Sequence, residues 1–408
     1  MKHITLFRTN NLSNGTIPLP GSKSESNRAL LVNALCNNPG NINNLAIARD
    51  TQIMQALLSA DSHKFDAQDA GTVMRFMTAY LAITKKNTEI NGTEHMKKRP
   101  IGILVDALRK LGAKISYLEK DGYPPLQISG LDNQETSRLE IDSDVSSQYI
   151  SALLMIAPKL PHGLTLELNG RPVSTPYIEM TVSIMQHFGV EVNIIGQSYE
   201  VKSQPYKYSP FQVESDWSGA SYWYSIFALS NLQELRLNGL KENSFQGDSV
   251  VAELMEKFGV ATSFEENAAI LTRQEAELTD EIDFINCPDL AQTFAVLCAA
   301  IGHECTFLGL QTLKIKETDR VLALKTELQK LGADFIEEGN KWTVIPISAE
   351  KLPLINEINI NTYDDHRMAM AFAALATKMD VHFDNAEVVN KSYPTFWQDL
   401  KDLGFRSE

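Results

Sequence analysis

The sequence predicts an α/β protein of two globular halves, each assembled from repeated helix and strand units. Two observations carry this. First, a signature recurs five times at the end of an amphipathic stretch, as Leu111-Gly112-Ala113, Phe188-Gly189-Val190, Phe258-Gly259-Val260, Leu331-Gly332-Ala333 and Leu403-Gly404-Phe405. Its glycines lie 70 to 77 residues apart, the length of a whole supersecondary unit and too long for a solenoid of helix pairs. Second, the chain has 408 residues, of which 43% are hydrophobic and 22% charged. That is ordinary globular usage at a length where one core normally divides into two. Gly-capped helices are common in any α/β protein, so it is the near-constant spacing that makes these a repeat.

A glycine after the last helical turn supplies the left-handed cap that other residues adopt only at a cost. Around Gly112 the apolar period predicts a helix over 105–111, strands over 113–118 and 126–129, and a turn at Asp121-Gly122-Tyr123. After Gly189, strands are predicted over 190–195 and 199–201. After Gly332 they are predicted over 333–337 and 342–345, about a turn at Gly339-Asn340. Further apolar helices are predicted over 29–34, 149–156 and 368–376.

With 37 Lys and Arg against 51 Asp and Glu, the formal charge is −14. That argues against a general nucleic-acid or membrane-surface binder, while leaving room for a local cationic pocket. Cys36, Cys287, Cys298 and Cys305 are too few and too irregularly spaced for a disulfide framework, and no Cys-x-x-Cys pair suggests zinc. The first eleven residues lack the apolar core of a secretion signal. The best candidate for a membrane span, 293–310, is interrupted by His303 and Glu304. A soluble, unprocessed, cytoplasmic protein is expected.

Seven segments carry candidate chemistry. Pro20-Gly21-Ser22-Lys23-Ser24-Glu25-Ser26-Asn27-Arg28 puts serines, a lysine and an arginine at the start of an apolar helix, where free N–H groups and the helix dipole favour an anion. It is not a Walker loop, and an N-capping serine cluster explains it as well. Asp69-Ala70-Gly71-Thr72 is a small-residue turn before a helix, with Gly71 permitting close approach to the backbone. Met96-Lys97-Lys98-Arg99-Pro100 reads as a solvated face, or as a cationic site in which Arg99 grips a carboxylate or phosphate with both prongs. Ser146-Ser147-Gln148, with Ser174 and Tyr177 downstream, offers neutral hydrogen-bonding groups suited to a polyhydroxylated ligand, or plain helix caps. Asp289, after Pro288, reads as an N-terminal helix cap or a functional carboxylate. In Lys316-Glu317-Thr318-Asp319-Arg320 the two cations are four apart and share a face if helical, as a solvated helix start also would. Tyr363-Asp364-Asp365-His366-Arg367 precedes a very apolar helix, where packing alone does not call for His366 and Arg367. Lys391 precedes Tyr393-Pro394 and reads alone as an exposed lysine.

Taken together and in this order, the segments resemble the 5-enolpyruvylshikimate-3-phosphate (EPSP) synthase family over 20–394, nearly the whole chain. The resemblance implies two similar domains of three repeated helix and sheet units each, with the active site in the interdomain cleft. The domains are expected at 20–214 and at 1–19 with 215–408, and Glu214, Ser215 and Asp216 resemble the family's crossover segment. The implied reaction moves the enolpyruvyl group of phosphoenolpyruvate onto the 5-hydroxyl of shikimate 3-phosphate and releases phosphate, without metal or organic cofactor, in a monomer. By resemblance, Lys23, Gly71, Arg99, Gln148, Arg320, His366, Arg367 and Lys391 bind phosphoenolpyruvate. Lys23, Ser24, Arg28, Ser146, Ser147, Gln148, Ser174, Tyr177, Asp289, Thr312 and Lys316 bind shikimate 3-phosphate. Lys23, Asp289 as base for the hydroxyl and Glu317 as proton donor are the catalytic set, which requires the two carboxyl pKa values to be held apart.

Four positions depart from the family's usual pattern. Asp69 and Thr312 each stand where an asparagine is common, His95 replaces a common arginine, and Phe76 follows Arg75 where proline is usual. Two other readings compete with this one. A sister enolpyruvyl transferase acting on a UDP-linked amino sugar uses a reactive loop cysteine in its first domain, and this chain has none between Cys36 and Cys287. A non-catalytic ligand-binding protein of the same fold would be expected to lack one of Lys23, Asp289, Glu317 or Arg367, all of which are present.

Overall fold

The computed structural model describes the chain apart from residues 1, 10–11, 86, 143–145, 171–172, 317 and 349, and describes only the backbone of residue 315. The chain divides into two compact units, Ser22–Val213 and Met1–Gly21 with Glu214–Glu408. Each unit has its own apolar core.

Five sheets of four strands share one plan. In the first, strand Lys64–Asp66 leads through helix Gly71–Thr84 to Thr88–Asn91, which lies parallel to it. Helix Gly102–Lys110 then leads into an antiparallel hairpin, Ala113–Tyr117 and Leu126–Leu131, whose second arm pairs with Thr88–Asn91. The same order holds in the sheet running from Arg138–Asp142 to Asn193–Ile195. In the other unit it holds in the sheets built on Gly15–Pro18, Glu281–Asp283 and Glu357–Ile360. The last of these is completed by the N-terminal strand Ile4–Phe7, which pairs Leu6 with Ser407 and Phe7 with Arg406, so the two ends of the chain meet in one sheet.

The sixth repeat is abbreviated. Its parallel pair, Ile42–Asn43 with Phe211–Gln212, and its helices Lys23–Ala34 and Arg49–Ser59 are present, but the chain runs from the second helix straight to Lys64–Asp66 with no hairpin. The Gly signature therefore occurs five times and not six. Gly112, Gly189, Gly259, Gly332 and Gly404 all have left-handed backbones, whereas Ala60 at the end of the abbreviated repeat is extended.

In each repeat the first helix is the buried one. Gly71–Thr84, Ser147–Ile156 and Lys23–Ala34 pack together in one unit, as do Trp217–Leu229, Ala291–Ile301 and His366–Ala373 in the other. Trp217–Leu229 and Ser147–Ile156 carry apolar residues on nearly every side, as expected of helices with no solvent face. Helices extend beyond their apolar periods because polar residues start them: Ser22 caps Lys23–Ala34 by accepting from Glu25 N–H, and Asp365 caps His366–Ala373 through Arg367 N–H. The strand expected over 190–195 is shorter, Asn193–Ile195, and the helix expected to reach 376 tightens to a 3-10 turn at Ala374–Thr377. At the crossover, Asp216 caps Trp217–Leu229 through Gly219 N–H (2.9 Å), and Ser215 Oγ donates to Leu19 O (2.9 Å).

Gly112 has φ +106°, and a Cβ there would lie 2.3 Å from Asn133 O. Gly189 has φ +79°, and its Cβ would meet only Lys207 at 3.6 Å. Gly189→Ala should therefore cost only the left-handed backbone penalty of about 1–2 kcal/mol, and Gly112→Ala more than that, compared by urea unfolding. Equal losses would show that the carbonyl contact is unimportant.

Candidate active site

Several of the sequence-predicted site residues sit at or just before the N-terminal ends of helices. In Ser22–Val213, Lys23 opens its helix with Nζ 3.3 Å from Asp50 Oδ2. Ser24 follows it, half-buried. Arg28, one turn on, is buried: Nε donates to Thr181 Oγ1 (2.7 Å), one terminal nitrogen to Ser151 Oγ (3.2 Å) and the other to Ser24 O (2.9 Å). Its guanidinium lies 5.4 Å from the Phe76 ring and 5.7 Å from the Tyr177 ring. Desolvation lowers its pKa to about 10, against a smaller opposing effect of Tyr177, so it keeps its charge near neutral pH. Phe76, one of the departures, forms part of this cradle.

Gly71 opens the helix Gly71–Thr84, and a Cβ on it would lie 2.6 Å from an Arg99 nitrogen and 2.8 Å from an Arg75 nitrogen. A side chain at this position would push one or both guanidiniums off that helix start. Arg75, which has no role in the sequence reading, donates to Gly71 O (2.9 Å) and Pro100 O (3.1 Å). Gln148 Nε2 donates to Thr72 Oγ1 (3.1 Å), joining the starts of two helices, and its buried Oε1 has no hydrogen-bond partner among the described residues. Ser146 caps its helix through Gln148 N–H, and Ser147 is buried beside it. Ser174 precedes the helix Thr175–His187 in the left-handed region (φ +55°) without capping it by its side chain. A non-glycine residue in that region costs about 1–2 kcal/mol. Asp69 accepts from Thr93 Oγ1, and His95 stands at the start of the 3-10 turn Met96–Lys98.

In the other unit the centre is Asp289. The helix-cap reading does not hold: Asp289 lies in the 3-10 turn Pro288–Leu290, and the following helix Ala291–Ile301 has no side-chain cap. Its carboxylate instead receives Arg320 at 2.9 Å on Oδ1 and Arg367 at 2.7 Å on Oδ2, with Lys316 Nζ 4.0 Å away. Lys316 and Arg320 do not share a helix face, because Asp319 caps Arg320–Lys330 by accepting from Leu322 N–H and starts the helix only at Arg320. Nor is this a solvated helix start, since Arg320 is 2% exposed and grips Asp365 through two nitrogens, at 2.6 and 3.3 Å. His366 is buried with Nδ1 3.8 Å from Asp365 Oδ1. Lys391 Nζ donates to the carbonyl of Asp364 (2.9 Å). Thr312 is half-buried in the 3-10 segment Gln311–Ile315. Glu317 lies outside the described residues.

Three further residues of this cluster escape sequence reasoning. Arg367 donates to Tyr222 OH (3.2 Å) and approaches Ser218 Oγ (3.4 Å), and Ser218 hydrogen-bonds the buried Asp248. Burial raises the Tyr222 pKa to about 12. Burial, and then the negative charge of Asp289, raise that of Asp248 to about 7. No spacing links residues 218, 222 and 248 to 289 and 367; only the fold does. Clustered guanidiniums and ammonium groups at helix N-termini suit multiply charged anions, and the embedded carboxylate can accept a proton. Among the described residues, no group of three or more His, Cys, Asp and Glu is placed to hold a metal, and no helix is long and apolar enough to cross a membrane.

Asp365 neutralises Arg320 and caps the helix carrying Arg367, so Asp365→Ala should cost about 3–5 kcal/mol, the usual penalty for stranding a buried ion-pair partner. Denaturant unfolding would measure it, and a loss below about 1 kcal/mol would refute this account of the cluster.

Comparison with known proteins gives the family. The chain matches the family model for EPSP synthase (3-phosphoshikimate 1-carboxyvinyltransferase) over residues 8–60 and 56–400. It is 48% identical to a 3-phosphoshikimate 1-carboxyvinyltransferase of Bacteroides fragilis, covering 96% of this chain and 95% of that one. To the protein of that name from Photobacterium damsela subsp. piscicida it is 37% identical, covering 96% and 97%. The fold matches a solved EPSP synthase of Acinetobacter baumannii with a TM-score of 0.80 over the full length of both chains, at 18% identity. On this likeness over nearly its whole length, the chain belongs to the EPSP synthase family.

Proposed function

We propose that this protein transfers the enolpyruvyl group of phosphoenolpyruvate to the 5-hydroxyl of shikimate 3-phosphate, releasing inorganic phosphate, on the route to chorismate and the aromatic amino acids. The observation that carries the reading is the Asp289 carboxylate held by Arg320 and Arg367, within a chain related to such transferases over nearly its whole length. The guanidiniums of Arg99, Arg320 and Arg367, the ammonium groups of Lys23 and Lys391, Gln148, His366 and the helix start at Gly71 bind the phosphate and carboxylate of phosphoenolpyruvate. Lys23, Ser24, Arg28, Ser146, Ser147, Gln148, Ser174, Tyr177, Asp289, Thr312 and Lys316 bind shikimate 3-phosphate. Buried Arg28 acts by aligning Ser24, Ser151 and Thr181 as much as by its charge.

The chemistry follows. A proton from Glu317, a role that rests on the family resemblance, goes to the methylene carbon of phosphoenolpyruvate and makes the neighbouring carbon electrophilic. The 5-hydroxyl adds there as Asp289 takes its proton. The tetrahedral intermediate then expels phosphate and returns a methyl proton to the Glu317 carboxylate, which restores the double bond and the acid. An anionic substrate competes with Asp289 for Arg320 and Arg367, so binding itself frees the carboxylate to act as a base. The protein works without cofactor, as a cytoplasmic monomer.

A coupled assay tests this: phosphate release from phosphoenolpyruvate should require shikimate 3-phosphate. Release that instead required a UDP-linked amino sugar would overturn the assignment. Lys23→Met and Asp289→Asn should keep the native circular dichroism and lower kcat by roughly 10²-fold or more. Undiminished turnover in either variant would remove that residue from the catalytic set.

A further inference from the structure

Asp248 has no part in the roles above. It lies in the 3-10 segment Gly247–Val250 and is 3% exposed. One carboxylate oxygen accepts from Ser218 Oγ; the other has no hydrogen-bond partner among the described residues. Ser218 stands in the first turn of Trp217–Leu229, and its hydroxyl is also approached by the Arg367 nitrogen that grips Asp289. The charged and titratable groups facing Asp248 are Asp289, Arg367, Asp216 at the helix cap and the buried Cys287 thiol. No lysine or arginine among the described residues bonds it directly.

A buried carboxyl with one hydrogen bond and a like charge nearby holds its proton unusually long. Its ionisation then changes the field of the whole cluster. Lys316, Arg320 and Arg367 outnumber Asp289 and Asp365 by one charge, and a third carboxylate would cancel that excess. Arg367, one hydroxyl away, is the cation best placed to turn toward a newly ionised Asp248.

We propose that Asp248 is a positioning residue whose proton keeps Arg367 available to the anion of phosphoenolpyruvate, so that losing the proton weakens binding of that substrate. This rests on the reaction proposed above. Asp248 touches no reacting atom in that scheme and acts through Ser218 and Arg367.

The test compares KM and kcat for phosphoenolpyruvate in the wild-type protein and Asp248→Asn between about pH 6 and pH 8, a unit either side of where Asp248 titrates. The wild-type KM should rise with pH by roughly fivefold more than that of the variant, with kcat far less affected. The substrate's own phosphate titrates alike in both assays and cancels. Ser218→Ala, which removes the hydrogen bond favouring the ionised form, should move the inflection to higher pH, and it decides the matter if Asp248→Asn does not fold. A ligand-free measurement stands beside these. Because the folded pKa lies above the unfolded one, wild-type stability should fall as pH rises from the ordinary carboxylate range through about 7, and Asp248→Asn should lack that fall. Matching KM profiles, an unmoved inflection in Ser218→Ala, or matching stability profiles would overturn the proposal. Absence of turnover with shikimate 3-phosphate in the wild-type protein would instead sink the assigned reaction, and calorimetric titration with phosphoenolpyruvate would then carry the comparison.

Discussion

A helix that is apolar on every side can present polar chemistry only at its ends. That constraint organises this protein. In each unit three buried helices pack together, most of them apolar along their length although Lys23–Ala34 also carries Asn27, Arg28 and Asn33, and their first turns bear Lys23, Gly71 and Ser147 in one unit and Ser218 and His366 in the other, with Asp289 just ahead of Ala291–Ile301. Each helix start also leaves N–H groups without intrahelical partners and the positive end of a dipole. Burial of the helix shafts thus concentrates donors and positive potential at the places the sequence stocks with arginine, lysine and serine. The hydrogen bonds that link one helix start to the next, Gln148 to Thr72 and Arg367 to Ser218, depend on the packing of the shafts.

The overall charge of −14 is consistent with anionic substrates for the same reason. Many acidic side chains lie in exposed surface pairs, such as Glu265 with Arg236 and Glu281 with Lys341, where they add little to stability. Arg28, Arg320 and Arg367 are almost wholly buried, and their charge acts in a medium that screens it far less.

The repeat was legible in the sequence because its marker is local: a left-handed turn after a helix selects glycine wherever it occurs, and five glycines at steady spacing reveal five hairpins. The missing sixth hairpin leaves no marker, so the abbreviated repeat emerges only from strand pairing. The site was legible as a set of segments in family order, but individual geometry was not. Asp289 resembled a helix cap because an acid after proline and before an apolar run is the usual sign of one. Lys316 and Arg320 seemed to share a helix face because a spacing of four says nothing about where the helix begins, and Asp319 sets that point. Asp248 and Tyr222 left no trace, since their roles come from contacts with segments far away in sequence.

The sheet in which the two ends of the chain meet has a consequence for biogenesis. A ribosome completes Ser22–Val213 well before the rest, so that unit has every strand it needs while synthesis continues. The strand Ile4–Phe7 has no such opportunity: it pairs with Asp380–Phe383 and Arg406–Ser407, which are made nearly 400 residues later. Its sheet is therefore completed late, and Ile4–Phe7 must stay unpaired while the intervening chain is made.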